Sequence, residues 1–132
     1  MLGELIGETR GKRIVRRVLA SDPPQVEVTF EDGGKMLGIE VQGFGTYESE
    51  VRADGGIYGE GQGVYMSAAG DMLSWNGSGL GKFGEGGAVS YRGILYYRST
   101  SPKFAKLNTV AAVFEYEVDA KGGTHAKIWE WK

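Results

Sequence analysis

Glycines at alternate positions on the two sides of a turn constrain the fold of this chain more than any other feature of its sequence. The alternating glycines are Gly59, Gly61 and Gly63 before the turn and Gly77, Gly79 and Gly81 after it. Because side chains alternate between the two faces of a β-strand, glycines at this spacing leave one face of each strand bare. We therefore predict two neighbouring strands, 57–67 and 72–83, whose bare faces form a single patch.

Apolar residues alternate with polar ones in most of the remaining sequence, which is the pattern of half-buried strands. The further predicted strands cover residues 3–19, 26–31, 36–52, 88–100, 109–119 and 124–131. Residues 3–19 form either one long bent strand or two short ones. The Asp-Gly-Gly sequence from Asp32 to Gly34 predicts a hairpin turn. The segment from Ser101 to Asn108 predicts one short helix, because Ser101 can cap it and Pro102 suits its first turn.

The spacing of mid-strand glycines indicates how many strands the chain forms. Gly43, Gly59, Gly77 and Gly93 follow one another at steps of 16, 18 and 16 residues, which is one strand and one tight turn per step. A chain of 132 residues then holds about eight strands, the number at which a barrel closes around its side chains or one small ligand. Short turns make neighbouring strands antiparallel, and closure removes exposed edges. We predict a single domain, 1–132, that is all-β: an antiparallel eight-stranded meander β-barrel with one short helix.

The run from Gly56 to Tyr97 has Gly-X-Gly-X-Gly strands with aromatic ends, and the final strand reads Ala-Lys-Ile-Trp-Glu-Trp-Lys. In these features the chain resembles the small calycin-like barrels of the allene oxide cyclase type, and it is similar to related uncharacterised bacterial barrel proteins. The resemblance implies an apolar barrel cavity and a homo-oligomer; plant cyclases of that fold act on an unstable fatty-acid epoxide. No functional position of those cyclases can be matched here residue by residue, so the resemblance assigns no catalytic residue.

Charge and composition argue against several classes of partner. The net charge is −2, from 15 basic and 17 acidic residues, so no strong field attracts nucleic acid or an anionic membrane. The chain has no cysteine and a single histidine, His125, whereas metal sites use several such ligands. No helix pattern follows the glycine-rich strand at Gly59, so a dinucleotide site is not expected. We expect no metal and no cofactor. The N-terminus carries acidic residues where a signal peptide needs basic ones, which favours a cytoplasmic protein.

Aromatic and basic side chains of the predicted strands are the candidate ligand-binding groups. The candidates are Trp75, Tyr91, Arg92, Phe114, Tyr116 and Trp129. Sites for small molecules are mostly apolar with few polar groups, as such a set would be. An inward Arg92 would clamp a carboxylate, whereas an outward Arg92 would lie over a tyrosine on the outer wall.

Glu60 is the candidate carboxylate for acid–base chemistry, and Arg92 is the second candidate catalytic residue. The role of Glu60 depends on which parity of its strand faces inward. If Tyr58 and its alternate neighbours face the interior, Glu60 is buried and suited to proton transfer. If the glycines face the interior, Glu60 is solvated on the outer wall.

Three classes of function remain open on the sequence. The first is a barrel that binds a small apolar or amphipathic ligand. The second is an isomerase or cyclase that confines a reactive substrate in the barrel. The third is a filled barrel that serves as a structural or oligomerisation module. The glycines fit all three, because they permit sharp strand coiling, the packing of rings on backbone, or close approach by a ligand.

Overall fold

The chain forms a closed barrel of eight antiparallel strands in the computed structural model, which describes all residues from 1 to 132. The strands are β1 (Leu2–Ser21), β2 (Pro24–Met36), β3 (Ile39–Val51), β4 (Ile57–Ser67), β5 (Met72–Phe83), β6 (Val89–Arg98), β7 (Ala111–Val118) and β8 (Gly123–Trp131). Each strand pairs with the next one along the chain, and β8 pairs with β1. The predicted fold class, an eight-stranded antiparallel meander barrel, is therefore confirmed.

The first strand is one long bent strand rather than two short ones. It runs for 20 residues, and its register against β2 shifts between Arg13 and Val15 and again between Val18 and Ala20. Its pairing with β8 ends at Lys12, so the remainder of β1 pairs with β2 alone. The two strands therefore extend beyond the barrel wall as a hairpin.

The predicted hairpin turn at Asp32 to Gly34 is wrong. These residues lie within β2, and the turn comes later, at Leu37 and Gly38, which have positive φ values of 50° and 77°. Gly34 serves the close approach of two strands instead, because a Cβ there would collide with the backbone carbonyl of Glu8 in β1. Continuing β2 through this segment carries Asp32 into the interior, where it is buried.

A short 3₁₀ helix, Pro102–Thr109, closes one end of the barrel before β7, close to the prediction of a short helix at Ser101–Asn108. Its Phe104 and Leu107 are fully buried in the core cluster at that end. The Ser101 hydroxyl accepts the N–H of Lys103 and so caps the helix. Neither this helix nor the 3₁₀ turn at Glu85–Gly87 has the length and apolar character needed to cross a membrane.

Candidate functional site

The glycine face of β4 and β5 points into the barrel. A Cβ added to Gly63 would lie 2.5 Å from the indole ring of Trp75, and one added to Gly81 would lie 2.7 Å from the ring of Tyr91. The two rings therefore lie flat against bare backbone, as large rings can where side chains are absent. This arrangement answers the question of parity that the sequence left open.

Aromatic rings fill most of the space inside the barrel. Phe30 lies at the centre of the group, with ring centroids 5.5 Å from Tyr116, 5.9 Å from Tyr47 and 6.2 Å from Trp75. A cavity of about 80 Å³ remains among these rings. Pockets that hold drug-sized ligands have about 300–1,000 Å³, so this cavity suits a much smaller molecule.

Asp32 places a buried carboxylate against this cavity. Its side chain accepts two hydrogen bonds on the same oxygen, Oδ2: one from the Thr9 hydroxyl at 2.9 Å and one from the Tyr65 hydroxyl at 3.0 Å. The other oxygen, Oδ1, is buried and has no hydrogen-bond partner. Burial raises the pKa of Asp32 to about 6, although both hydrogen bonds act to lower it. The carboxylate is thus fixed in orientation through one oxygen while the other is free.

The hydroxyl of Tyr116 is a second buried polar group of the cavity; no partner lies within hydrogen-bond distance of it, although the Tyr47 hydroxyl faces it. Tyr116 in β7 pairs with Ala126 in β8, and Ala126 pairs with Thr9 in β1, so the three lie in one row across the sheet. This row brings Tyr116 towards Asp32, because the Thr9 hydroxyl donates a hydrogen bond to Asp32. Burial raises the pKa of Tyr116, so its hydroxyl stays protonated and can donate a hydrogen bond.

Four of the six predicted ligand-binding residues line the cavity: Trp75, Tyr91, Phe114 and Tyr116. The other two do not. Arg92 lies on the outer wall, where its guanidinium is 2.9 Å from the Glu117 carboxylate and 3.7 Å from that of Glu115. Trp129 alternates with Ala126 and Ile128, which face the cavity, and so belongs to the outer face of β8.

Glu60 is among the residues that border the cavity, but its side chain lies on the outer wall of β4. It is exposed, and the Tyr58 hydroxyl donates a hydrogen bond of 3.0 Å to its Oε2. The condition under which Glu60 would be buried is not met, because the glycine face of β4 and not the Tyr58 face points inward. Of the two candidate catalytic residues, neither Glu60 nor Arg92 directs its side chain into the barrel.

Asp32 is the interior carboxylate that sequence reasoning missed, and a signal for it was present. Val28 and Phe30 alternate with polar residues, and the same parity continues to Asp32. The strand would have carried Asp32 inward if it had been extended through the Asp-Gly-Gly sequence. The prediction followed the turn preference of Asp-Gly-Gly instead of the apolar–polar alternation that continues to Asp32.

No protein-family model matches the chain, and no curated protein matches it. Solved structures do. A protein of unknown function from Clostridium acetobutylicum ATCC 824 has 12% identity and a TM-score of 0.85, with 98% of this chain and 99% of that one covered. A beta-barrel like protein from Acinetobacter baumannii AYE has 12% identity and a TM-score of 0.82, with 100% and 96% covered.

A third solved structure, described as an enzyme from Penicillium herquei, has 14% identity and a TM-score of 0.68. The alignment covers 96% of this chain and 92% of the Penicillium herquei chain. At such low identities these similarities show that the chain shares the small β-barrel fold with these proteins.

Proposed function

We propose that the protein binds a small, mainly apolar ligand inside the barrel and recognises one polar group of that ligand through Asp32 and Tyr116. One observation carries this proposal. Asp32 and Tyr116 line an aromatic cavity, are only 8% and 7% exposed, and each carry a buried polar atom, Oδ1 and Oη, without a hydrogen-bond partner. A buried polar atom without a partner costs about 1–3 kcal/mol, which a ligand that bonds to it would offset.

The size of the cavity limits the ligand to a few non-hydrogen atoms unless a ring moves. An apolar cavity of about 150 Å³ holds benzene in other proteins, and the cavity here is about 80 Å³. Tyr47, Trp75 and Phe114 are only half-buried, so they are the rings that can shift towards solvent to admit a larger molecule. The small volume also favours the alternative of a filled structural barrel, which the experiment below separates from binding.

An enzyme is the second candidate function. The barrel is similar to that of the Penicillium herquei protein described as an enzyme, and the interior holds a carboxylate whose pKa burial raises to about 6. Groups with shifted pKa values in a cavity are typical of acid–base catalysts. The resemblance to barrels of the allene oxide cyclase type supports the same class, in which confinement of the substrate matters more than a cofactor.

Phenol and benzene test the proposal, because they share a ring and differ by one hydroxyl. Both are larger than the cavity of about 80 Å³, so the proposal requires that one of the half-buried rings shifts when they bind. Saturation-transfer NMR at pH 7 would measure their affinities for the wild type, Asp32→Asn and Glu60→Gln. Glu60→Gln removes a carboxylate from the outer wall of the same barrel, so it controls for the change in net charge. Native mass spectrometry of the freshly purified wild type would report any co-purified ligand and the oligomeric state.

Phenol should bind the wild type and Glu60→Gln with equal affinity, and Asp32→Asn about tenfold more weakly. A tenfold change corresponds to about 1.4 kcal/mol, which is within the range of one hydrogen bond to a charged group. Benzene should not distinguish the three proteins. The filled structural barrel would be favoured if neither compound bound the wild type, and recognition through Asp32 would be excluded if Asp32→Asn bound phenol as well as the wild type does.

A further inference from the structure

We propose that Asp32 and Tyr116 form an acid–base pair that transfers a proton on a small neutral carbonyl compound held in the cavity. This inference rests on the proposed binding function and adds a reaction to it. It follows from two residues that border the same aromatic cavity and carry a free carboxylate oxygen and a free hydroxyl.

The geometry of Asp32 suits a general base. Thr9 and Tyr65 both donate to Oδ2, so the carboxylate cannot rotate without losing two hydrogen bonds. Oδ1 keeps its lone pairs for a proton from a molecule in the cavity. A general base is most effective when its pKa lies near the working pH, and burial brings the pKa of Asp32 to about 6.

The geometry of Tyr116 suits a hydrogen-bond donor to an oxygen on which negative charge develops. Its ring packs against Phe30 at 5.5 Å, and Phe30 lies two residues from Asp32 on the same face of β2. Burial raises the pKa of the Tyr116 hydroxyl, so the group stays neutral and donates. A fixed donor of this kind stabilises an oxyanion in a cavity that excludes bulk water.

The reaction is balanced without a cofactor. Asp32 Oδ1 removes a proton from the carbon next to the carbonyl. The electrons of the broken C–H bond form a C=C bond, and the carbonyl oxygen becomes an enolate oxygen that accepts the Tyr116 hydrogen bond. The Asp32 carboxylic acid then returns the proton to the same carbon, or to the far end of a conjugated system. The second outcome is an isomerisation with no change in oxidation state.

The pH dependence of this reaction follows from Asp32 alone. The polar groups that face Asp32 are hydroxyls: those of Thr9 in β1, Tyr65 in β4, Tyr97 in β6 and Tyr116 in β7. Burial raises the pKa values of all three tyrosines. No lysine, arginine or histidine lines the cavity. The hydroxyl of Tyr47 faces that of Tyr116, and Glu60 borders the cavity with an exposed side chain on the outer wall. The rate should therefore increase with pH through about 6 as Asp32 ionises, and then level off.

Cyclopentanone in deuterated buffer is the test compound. After Asp32 has removed a proton from the carbon next to the carbonyl, the Asp32 acid exchanges that proton with a deuteron of the solvent, and the deuteron is then delivered to the enolate carbon. Proton NMR would follow the loss of the signal of the protons next to the carbonyl between pH 4.5 and 8, and saturation-transfer spectra of the same samples would report binding. The proteins are the wild type, Asp32→Asn, Tyr116→Phe and Glu60→Gln. Circular dichroism would establish that each variant is folded.

The wild type and Glu60→Gln should exchange cyclopentanone at equal rates well above that of buffer. Asp32→Asn should lose about 100-fold or more, the contribution typical of a general base. Tyr116→Phe should lose about 100-fold, the cost typical of one oxyanion donor. The pH profile of the wild type gives a second test that needs no variant, and a flat profile would contradict the role of Asp32.

The two proposals can fail separately. Binding of cyclopentanone to the wild type without exchange above the buffer rate would overturn the proton transfer and leave ligand binding standing. Exchange by Asp32→Asn at the wild-type rate would also overturn it. Absence of any binding by cyclopentanone, phenol and benzene would contradict both proposals together.

Discussion

The Tyr65 hydroxyl donates a hydrogen bond of 3.0 Å to Oδ2 of Asp32 inside the barrel. The bond joins β4 to β2, two strands that are separated by β3 in the sheet. Thr9 from β1 donates to the same oxygen. Three strands thus determine the orientation of one carboxylate that borders the aromatic cavity, and its other oxygen, Oδ1, is buried without a hydrogen-bond partner.

Replacing Tyr65 by phenylalanine should raise the pKa of Asp32 above its value of about 6, because the Tyr65 hydrogen bond acts to lower it. The variant should lose about 1.5–3 kcal/mol of unfolding free energy at pH 8, the usual value of a hydrogen bond to a charged group. Carbon-13 NMR of the side-chain carboxyls would measure the pKa, and urea unfolding would measure the stability. Tyr96→Phe, at an exposed tyrosine, is the control. An unchanged pKa in Tyr65→Phe would show that the bond does not hold the carboxylate.

Replacing Asp32 by asparagine should make the difference in stability between the variant and the wild type depend on pH. The folded protein keeps the Asp32 proton up to about pH 6, whereas the ordinary pKa of the group is 3.8. The folded state therefore binds more protons between these values, and the wild type loses stability as the pH rises through this window. A shift of this size corresponds to about 3 kcal/mol.

Asparagine cannot ionise, so Asp32→Asn should gain stability relative to the wild type between pH 4 and pH 8. The difference between the two proteins in urea unfolding at these two pH values is the measurement, because it cancels the other carboxylates. Glu60→Gln should show no such change. A difference that stays constant with pH would mean that Asp32 ionises as readily in the folded chain as in the unfolded one.

Replacing Gly93 by alanine should destabilise the barrel by about 1–3 kcal/mol, the cost typical of an overpacked interior. A Cβ at Gly93 would collide with the backbone carbonyl of Ser78 and lie 2.6 Å from the Cα of Gly79. Gly84→Ala is the matched control, because the nearest atom to its added Cβ is 3.6 Å away. Thermal unfolding of both variants would be compared. Equal melting temperatures would contradict the view that β5 and β6 approach too closely for a side chain.

The number and order of the strands could be predicted because alternation and turn chemistry are local properties of the sequence. The inward face of β4 could not be predicted from the sequence, because each face carries apolar side chains: Ile57 and Tyr65 on one, Val64 and Met66 on the other. The inward face is the one whose glycines are covered by the rings of Trp75 and Tyr91, and these contacts form only in the closed barrel.

The inward or outward positions of the candidate residues could be predicted only in part, because they too depend on contacts between strands. Trp129 follows Ile128 directly, so two large apolar side chains compete for the interior and alternation alone cannot choose between them. The outward position of Arg92 depends on its register with β7, where it pairs with Glu115. The Asp-Gly-Gly sequence that begins at Asp32 predicts a turn, but in the structure β2 pairs with both β1 and β3 through this segment.

A crystal structure of the protein soaked with cyclopentanone tests the central claim most directly, because the claim is that Asp32 and Tyr116 share one small ligand. We predict density for cyclopentanone in the cavity, with its oxygen about 3 Å from the Tyr116 hydroxyl and a neighbouring ring carbon against Asp32 Oδ1. The account would be contradicted if crystals soaked in saturating cyclopentanone showed only water bonded to both side chains.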